Sequence, residues 1–348
     1  MAYQRPEVTS GALRLHFNEN TAGCSPAVLA ALRDMTRADA AFYPEYGDIT
    51  ARTARWLGVE PERVLLTNGL DEGLHLVAQW AVWHSAEHGA PAEVIVPEPA
   101  FEMYAACAEA VRATVVRVMP QPEFAFALDG ILAAITSATR VIYLTDPNNP
   151  TGRPIAPGAI ERIAMAAPHA IVLVDEAYAD FSGRTAIGPL LDRARNVIIG
   201  RTFAKGHGLA ALRVGALVAH PDTLARIRPL QPPYSLNAWA ITALGAALGD
   251  RAYVEWYVRQ SAESRARVYA WADRLGLAYW PSEANFVLVR VGDRATEAAA
   301  ALAARGILVR DKSSAPGCAG CLRITSGVVE HTDRCLEALE EFLAPRTN

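Results

Sequence analysis

Residues 170–178 read Ala-Ile-Val-Leu-Val-Asp-Glu-Ala-Tyr, and their order decides the fold. Five apolar residues run without polar alternation and stop on two carboxylates, Asp175 and Glu176. A strand with one wet face alternates, whereas an unbroken aliphatic run suits a strand covered on both faces, as in a parallel sheet. Similar runs recur at Arg63–Leu66, Glu93–Val96, Thr114–Val118, Val141–Thr145, Asn196–Gly200 and Val214–Ala219. Helical patterns lie among them at Asp71–Ser85, Ala100–Ala110, Leu128–Ile135 and Pro157–Ala166. Alternation of strand and helix predicts an α/β fold, a mostly parallel central sheet with helices on both faces, over about residues 38–245.

Beyond Leu248 the pattern changes. Arg251–Leu275 reads as one long helix with Arg and Glu outermost. A strand at Asn285–Val291, a helix at Ala295–Arg305, strands at Ile307–Arg310 and Leu322–Thr325, and a helix at Glu330–Leu343 follow. This predicts a smaller α+β domain from residues 246–348 and 1–37. Within 1–37, Ser25 and Pro26 read as the cap and first turn of a helix to Arg33.

The chain has 348 residues, 51% of them hydrophobic and 20% charged, with a net charge of −4. That composition excludes a disordered chain and a dedicated nucleic-acid binder. Charged residues or Pro interrupt every apolar stretch, so no membrane span is expected. The first residues lack an apolar signal core, and five Cys form no disulfide framework, which points to a reduced, cytoplasmic setting. Of 33 basic residues only two are Lys, Lys205 and Lys312. Where Arg supplies positive charge everywhere else, a remaining Lys is a candidate for what Arg cannot do: lose its proton and attack a carbonyl.

Lys205 follows the strand Asn196–Gly200 in Thr202-Phe-Ala-Lys205-Gly-His-Gly, with Arg213 further on. Small neighbours leave room for a planar partner. Asp175 ends its strand where α/β sheets bind ligands, and it can face a cofactor cation or cap a helix. Tyr178 lies three residues on. Asp146-Pro-Asn-Asn149-Pro-Thr-Gly152 follows another strand end and is a turn that offers Asn149 as a donor. In Thr67-Asn-Gly69-Leu70-Asp71-Glu-Gly73 a strand meets a helix start, whose free N–H groups suit a phosphate or receive an Asp71 cap. Arg323 in the apolar strand Cys321–Thr325 needs a partner, either a ligand carboxylate or a protein one. Cys318-Ala-Gly-Cys321 lacks a second pair, and no His pair has metal-ligand spacing, so no metal is expected.

Taken in order, these segments resemble the fold-type I pyridoxal-phosphate enzymes, and among class I/II aminotransferases the histidinol-phosphate aminotransferase-like group. The likeness runs through LHFNEN (15–20), YPE (43–45), TNGLDEG (67–73), PAFEMY (99–104), PNNPTG (147–152), VDEAY (174–178), TFAK with Arg213, YSLNA (234–238), ANFVL (284–288) and CLRIT (321–325). The resemblance implies that Lys205 carries pyridoxal 5'-phosphate as an internal aldimine and moves the substrate proton. It implies that Asp175 holds the ring nitrogen protonated, that Tyr178 and Asn149 donate to the ring hydroxyl, and that Phe101 stacks on the ring. Gly69, Leu70, Asp71, Thr202 and Arg213 would hold the phosphate, and Tyr43 would reach the neighbouring subunit's phosphate in a homodimer with shared sites. Arg323 would clamp the substrate carboxylate, with Asn20 also on the substrate side. The implied reaction is amino transfer from an amino acid or a histidinol-phosphate-like amine to a 2-oxo acid. A decarboxylase resembling threonine-phosphate decarboxylase, or a related oxidase or cyclase, shares most of the motifs. Two departures stand out: Ala204 replaces a frequent Ser, and only about fourteen residues precede LHFNEN, without a Tyr-rich arm. The second departure leaves another amino acid as eligible a donor as histidinol phosphate.

Overall fold

The computed structural model describes residues 11–88 and 91–344. A short strand, β1 (Leu13–Leu15), precedes a central group: β2 (Val64–Asn68), β3 (Glu93–Pro97), β4 (Thr114–Val118), β5 (Thr139–Thr145), β6 (Ile171–Asp175), β7 (Val197–Thr202) and β8 (Val214–Ala219). These seven form one sheet in the order β2-β8-β7-β6-β5-β3-β4, in which β8 alone runs antiparallel to its neighbours.

The unbroken apolar runs now have their cause. In β6, Leu173 packs into the core on one face of the sheet, while Val172 and Val174 pack into the core on the other. Every residue of β5, β6 and β8 is buried. Each such aliphatic side chain contributes about 1.5–3 kcal/mol on leaving water.

Strand register sets the functional edge. Thr145 pairs with Asp175 and Asp175 with Gly200, so β5 and β6 end level with one another while β7 runs on past them to Thr202. Gly215 pairs with both Thr67 and Thr202, and Asn68 with Val214. The single antiparallel strand therefore brings Gly69, Thr202 and Arg213 to one corner.

The remaining strands are β9 (Ala278–Trp280), β10 (Phe286–Arg290), β11 (Ile307–Asp311) and β12 (Cys321–Thr325). With β1 they form a second sheet in the order β1-β11-β12-β10-β9. Its core includes Leu15, Val287, Val289 and Ile324, together with Val268, Trp271, Leu336 and Leu339 from the helices Arg251–Leu275 and Val329–Leu343. The long helix stops at Gly276, whose φ of 66° suits a left-handed cap.

Residues 11–37 divide their contacts. β1 runs parallel to β11 in the small sheet. The helix Pro26–Arg33 instead packs on Ala238–Gly249, with Val28 buried beside Ala240, Ala243 and Leu244. Ser25 has extended backbone at the N-cap, but its side chain caps nothing. Among the helices outside the sequence reading, the two longest are Gly47–Leu57 and Ala238–Gly249. The first buries only Ile49, Thr53 and Ala54, too sparse a stripe to stand out. The second is apolar nearly all round, which erases the helical period. No described helix is long and apolar enough to cross a membrane.

Candidate active site

A cavity opens where β5, β6 and β7 end, between the two sheets. Ten residues singled out in the sequence line it: Leu70, Asp71, Phe101, Asn149, Asp175, Tyr178, Thr202, Lys205, Arg213 and Arg323.

Lys205 enters from the turn after β7, and its ammonium donates to the Phe17 carbonyl at 2.9 Å. Burial, and next the Arg323 cation, lower its pKa to about 8, against the opposing pull of Glu19, Asp71 and Asp175. A useful fraction of neutral amine is therefore present near neutral pH, as a nucleophile or base requires.

Asp175 is 4% exposed. Burial pushes its carboxyl up to about 6, while hydrogen bonds from the Tyr104 hydroxyl and the Ala177 N–H hold it down. Tyr178 is buried and accepts from Asn18 Nδ2 at 3.0 Å and Asn149 Nδ2 at 3.3 Å. Burial raises its phenol to about 12, so it stays protonated. Arg323 donates to the Asn149 Oδ1 and to the His16 carbonyl, which fixes the guanidinium in the wall.

At the opposite corner Arg213, with φ of 56°, donates to Asp71 Oδ2 at 2.7 Å and to the Ala210 carbonyl at 3.0 Å. The helix Gly69–His88 begins beside it and turns its first N–H groups outward. Gly69 has φ of +70°, and a Cβ there would lie 2.5 Å from Arg213 Nη2. A Cβ on Gly215 would lie 2.6 Å from the Leu70 nitrogen. Two glycines thus keep open a cradle of one cation and a helix N-terminus, which fits a phosphate. Together with Lys205 and Asp175, the cavity has an amine, a phosphate corner and a carboxylate for a ring cation, and so fits pyridoxal phosphate.

Two sequence-picked residues lie elsewhere. Asn20 does not line this cavity: its amide donates to the Gly206 carbonyl at 2.9 Å and accepts from the Ala22 N–H at 3.0 Å. Asn18, two residues earlier, takes the cavity wall. Tyr43 is 75% exposed and stacks on Tyr234 at 4.2 Å, outside the cavity.

Sequence reasoning also passed over Tyr104, His16, Glu102 and Arg310, all of which line the cavity. Tyr104 sits in the quoted PAFEMY motif, and its position three residues after Phe101 was the available signal. Among the described residues no group of three or more His, Cys, Asp or Glu could hold a metal ion. Cys318 and Cys321 are free and buried against Trp280 and Leu288, and burial raises both thiols.

A family model described as aminotransferase class I and II matches residues 10–339. A histidinol-phosphate aminotransferase of Roseobacter denitrificans is 37% identical over 336 residues, 95% of this chain and 91% of that protein. One from Halalkalibacterium halodurans is 32% identical over 338 residues, covering 95% and 89%. The crystal structure of histidinol-phosphate aminotransferase from Sinorhizobium meliloti in complex with pyridoxal-5'-phosphate superposes with a TM-score of 0.83 at 28% identity, over 95% of this chain and 91% of that one.

Proposed function

The chain belongs to the class I and II aminotransferases, a pyridoxal-phosphate-dependent enzyme of amino-group transfer, and from that premise we propose which residues do the work and on what substrate. The observation that carries the assignment is the placement of Lys205, Asp175, Arg213 and Arg323 around one cavity. When bound, pyridoxal phosphate supplies an electron sink for the charge left at the substrate Cα.

The protein residues then divide the task. Lys205 is the amine that would hold the cofactor and, once released from it, would take the proton from the substrate Cα, for which a pKa of about 8 suits it. Asp175 stays ionised opposite the ring cation, because that cation offsets the burial which otherwise raises its pKa. Tyr178 and Asn149 donate hydrogen bonds to the ring oxygen. Gly69, Leu70, Asp71, Thr202 and Arg213 seat the phosphate, and Phe101 covers the ring. Arg323 holds the substrate anion and so fixes which Cα bond faces the base.

We assign the donor as an amino acid or a histidinol-phosphate-like amine and the acceptor as a 2-oxo acid. The names of the relatives and the two guanidinium groups of the substrate wall, Arg323 and Arg310, support an anionic substrate. The chain acts as a homodimer in which Tyr43 reaches the neighbouring subunit's phosphate. Its exposed side chain, which does not line its own cavity, supports that reading. Residues 38–245 form the large cofactor-binding domain, and 1–37 with 246–348 the small one. The two sheets support that division.

The test is a visible spectrum of the holoenzyme with histidinol phosphate, glutamate and neutral amino acids added in turn. A true donor shifts the cofactor band, and 2-oxoglutarate restores it. Carbon dioxide release without amino transfer contradicts the assignment.

A further inference from the structure

Tyr178 carries one hydroxyl proton, and its neighbours decide where that proton points. The residue is buried, and its oxygen accepts from Asn18 Nδ2 at 3.0 Å and from Asn149 Nδ2 at 3.3 Å. A phenol oxygen has room to accept two such bonds and to donate one. With both acceptor positions filled, the hydrogen is left for a third partner in the cavity that Tyr178 lines.

Each amide is oriented in turn by its other partner. A guanidinium only donates, so Arg323 meets Asn149 through Oδ1, which turns Nδ2 towards Tyr178. Asn18 is set from the small sheet. Its backbone N–H donates to Thr325 Oγ1 at 3.1 Å, and the Thr325 hydroxyl donates to Asn18 Oδ1 at 3.2 Å. With Oδ1 engaged there, Nδ2 is the end that faces Tyr178. The Asn18 carbonyl accepts from Asn285 Nδ2 at 3.1 Å, so every polar group of Asn18 has a partner.

Asn18 is also held in a backbone conformation that few side chains share. Its φ is 56°, in the left-handed region that Asn tolerates better than most residues. It is 1% exposed, and Thr325 and Asn285 are fully buried. A buried polar chain with all its members paired holds its groups in one arrangement. Thr325 and Asn285 belong to the small sheet and its approach, whereas Tyr178 follows β6 of the large one. Asn18 thus carries the orientation of one sheet to the other.

We propose that Asn18, oriented by Thr325, is a positioning residue that reserves the Tyr178 proton for the ring oxygen of pyridoxal phosphate. It acts through Tyr178 and not on the ring itself. Burial raises the Tyr178 phenol to about 12, and the Arg323 cation and the Asn18 bond oppose that rise. A bond donated to the phenol oxygen draws charge from it and so makes its O–H the stronger donor. This inference rests on the reading that Tyr178 donates to the ring oxygen, and it names the residues that make it do so.

The test is titration of the apoenzyme with pyridoxal phosphate and with 3-deoxypyridoxal phosphate, which lacks the ring hydroxyl. The ratio of the two affinities reads the ring-oxygen contact alone. Wild type, Asn18→Asp, Thr325→Val and Tyr178→Phe are compared. Asn18→Asp keeps the size of the side chain and suits the same backbone, but its carboxylate accepts the Tyr178 proton. It should lower the ratio about tenfold, as should Tyr178→Phe. Thr325→Val adds no charge and frees the Asn18 amide to turn its oxygen to Tyr178, so it should lower the ratio about threefold. Affinity for the 3-deoxy form should stay within about twofold throughout. A ratio unmoved in Asn18→Asp and Thr325→Val while Tyr178→Phe lowers it overturns the proposal. So does a loss shared equally by both cofactors, which marks a merely structural role, or a fall in Asn18→Asp alone, which assigns the effect to the added charge. A ratio unmoved in Tyr178→Phe would instead defeat the placement of Tyr178 beneath it.

Discussion

The hydroxyl of Tyr104 donates to Asp175 Oδ2 at 2.7 Å, and both groups are buried. Tyr104 also stacks on Tyr143, with centroids 5.0 Å apart, and lies 2.8 Å from the Thr145 hydroxyl, so its oxygen has one resting place. The bond favours the ionised carboxyl against the desolvation that pushes Asp175 up to about 6. Tyr104→Phe removes it, and the Asp175 pKa rises further. Hydrogen bonds to charged groups contribute about 1.5–3 kcal/mol, which corresponds to about one pKa unit or more. Because the ionised form is the working one, activity at the acid end should fail at a higher pH than in wild type. A kcat/KM against pH profile checks this, and an unmoved acid limb contradicts it.

Arg323→Gln should raise KM for carboxylate substrates about a hundredfold while changing kcat much less. Removing one side of a buried, hydrogen-bonded charge contact costs about 2–5 kcal/mol of binding. The predicted split follows from its seat between Asn149 and the His16 carbonyl, which makes it a clamp and not a proton carrier. Steady-state kinetics with a donor series checks it. A kcat loss at unchanged KM would place Arg323 elsewhere in the reaction.

Gly69→Ala should weaken cofactor binding about tenfold. A side chain at φ of +70° costs about 1 kcal/mol, and its Cβ would lie 2.5 Å from Arg213 Nη2 and push the guanidinium off its seat. Titration of the apoenzyme with pyridoxal phosphate reads the affinity directly. Equal affinity would show that Arg213 does not hold the phosphate.

Behind the cavity, Arg201 is buried between Glu176 Oε2 at 3.2 Å and Asp180 Oδ1 at 2.9 Å, under the Trp56 ring at 5.4 Å. Arg201→Met would strand two buried carboxylates and should destabilise the protein by about 3–5 kcal/mol. Denaturant midpoints of wild type and variant test this. A loss below about 1 kcal/mol would mean that water enters and takes the place of the guanidinium.

Much of the site was legible because it rests on strand ends. Asp175, Asn149, Thr202 and Lys205 each follow an aliphatic run, and the parallel register of β5, β6 and β7 brings them together. Arg310 and Glu102 were not legible, because their meeting depends on the β11–β12 register and on a helix start some 200 residues away in sequence. That Asn18 and not Asn20 faces the cavity is not legible, because residues 16–20 follow a three-residue strand with no periodicity to say which side chain turns inward. Tyr104 reads as core from its helix and is core on one side, with only its hydroxyl facing Asp175.

The most direct measurement is a mass-spectrometric peptide map of the holoenzyme after borohydride reduction. The chain has only two lysines, Lys205 and Lys312, so the result is close to binary. The account predicts the reduced cofactor adduct on the peptide containing Lys205, with Lys312 unmodified. An adduct on Lys312, or a loaded protein with Lys205 free, would contradict it.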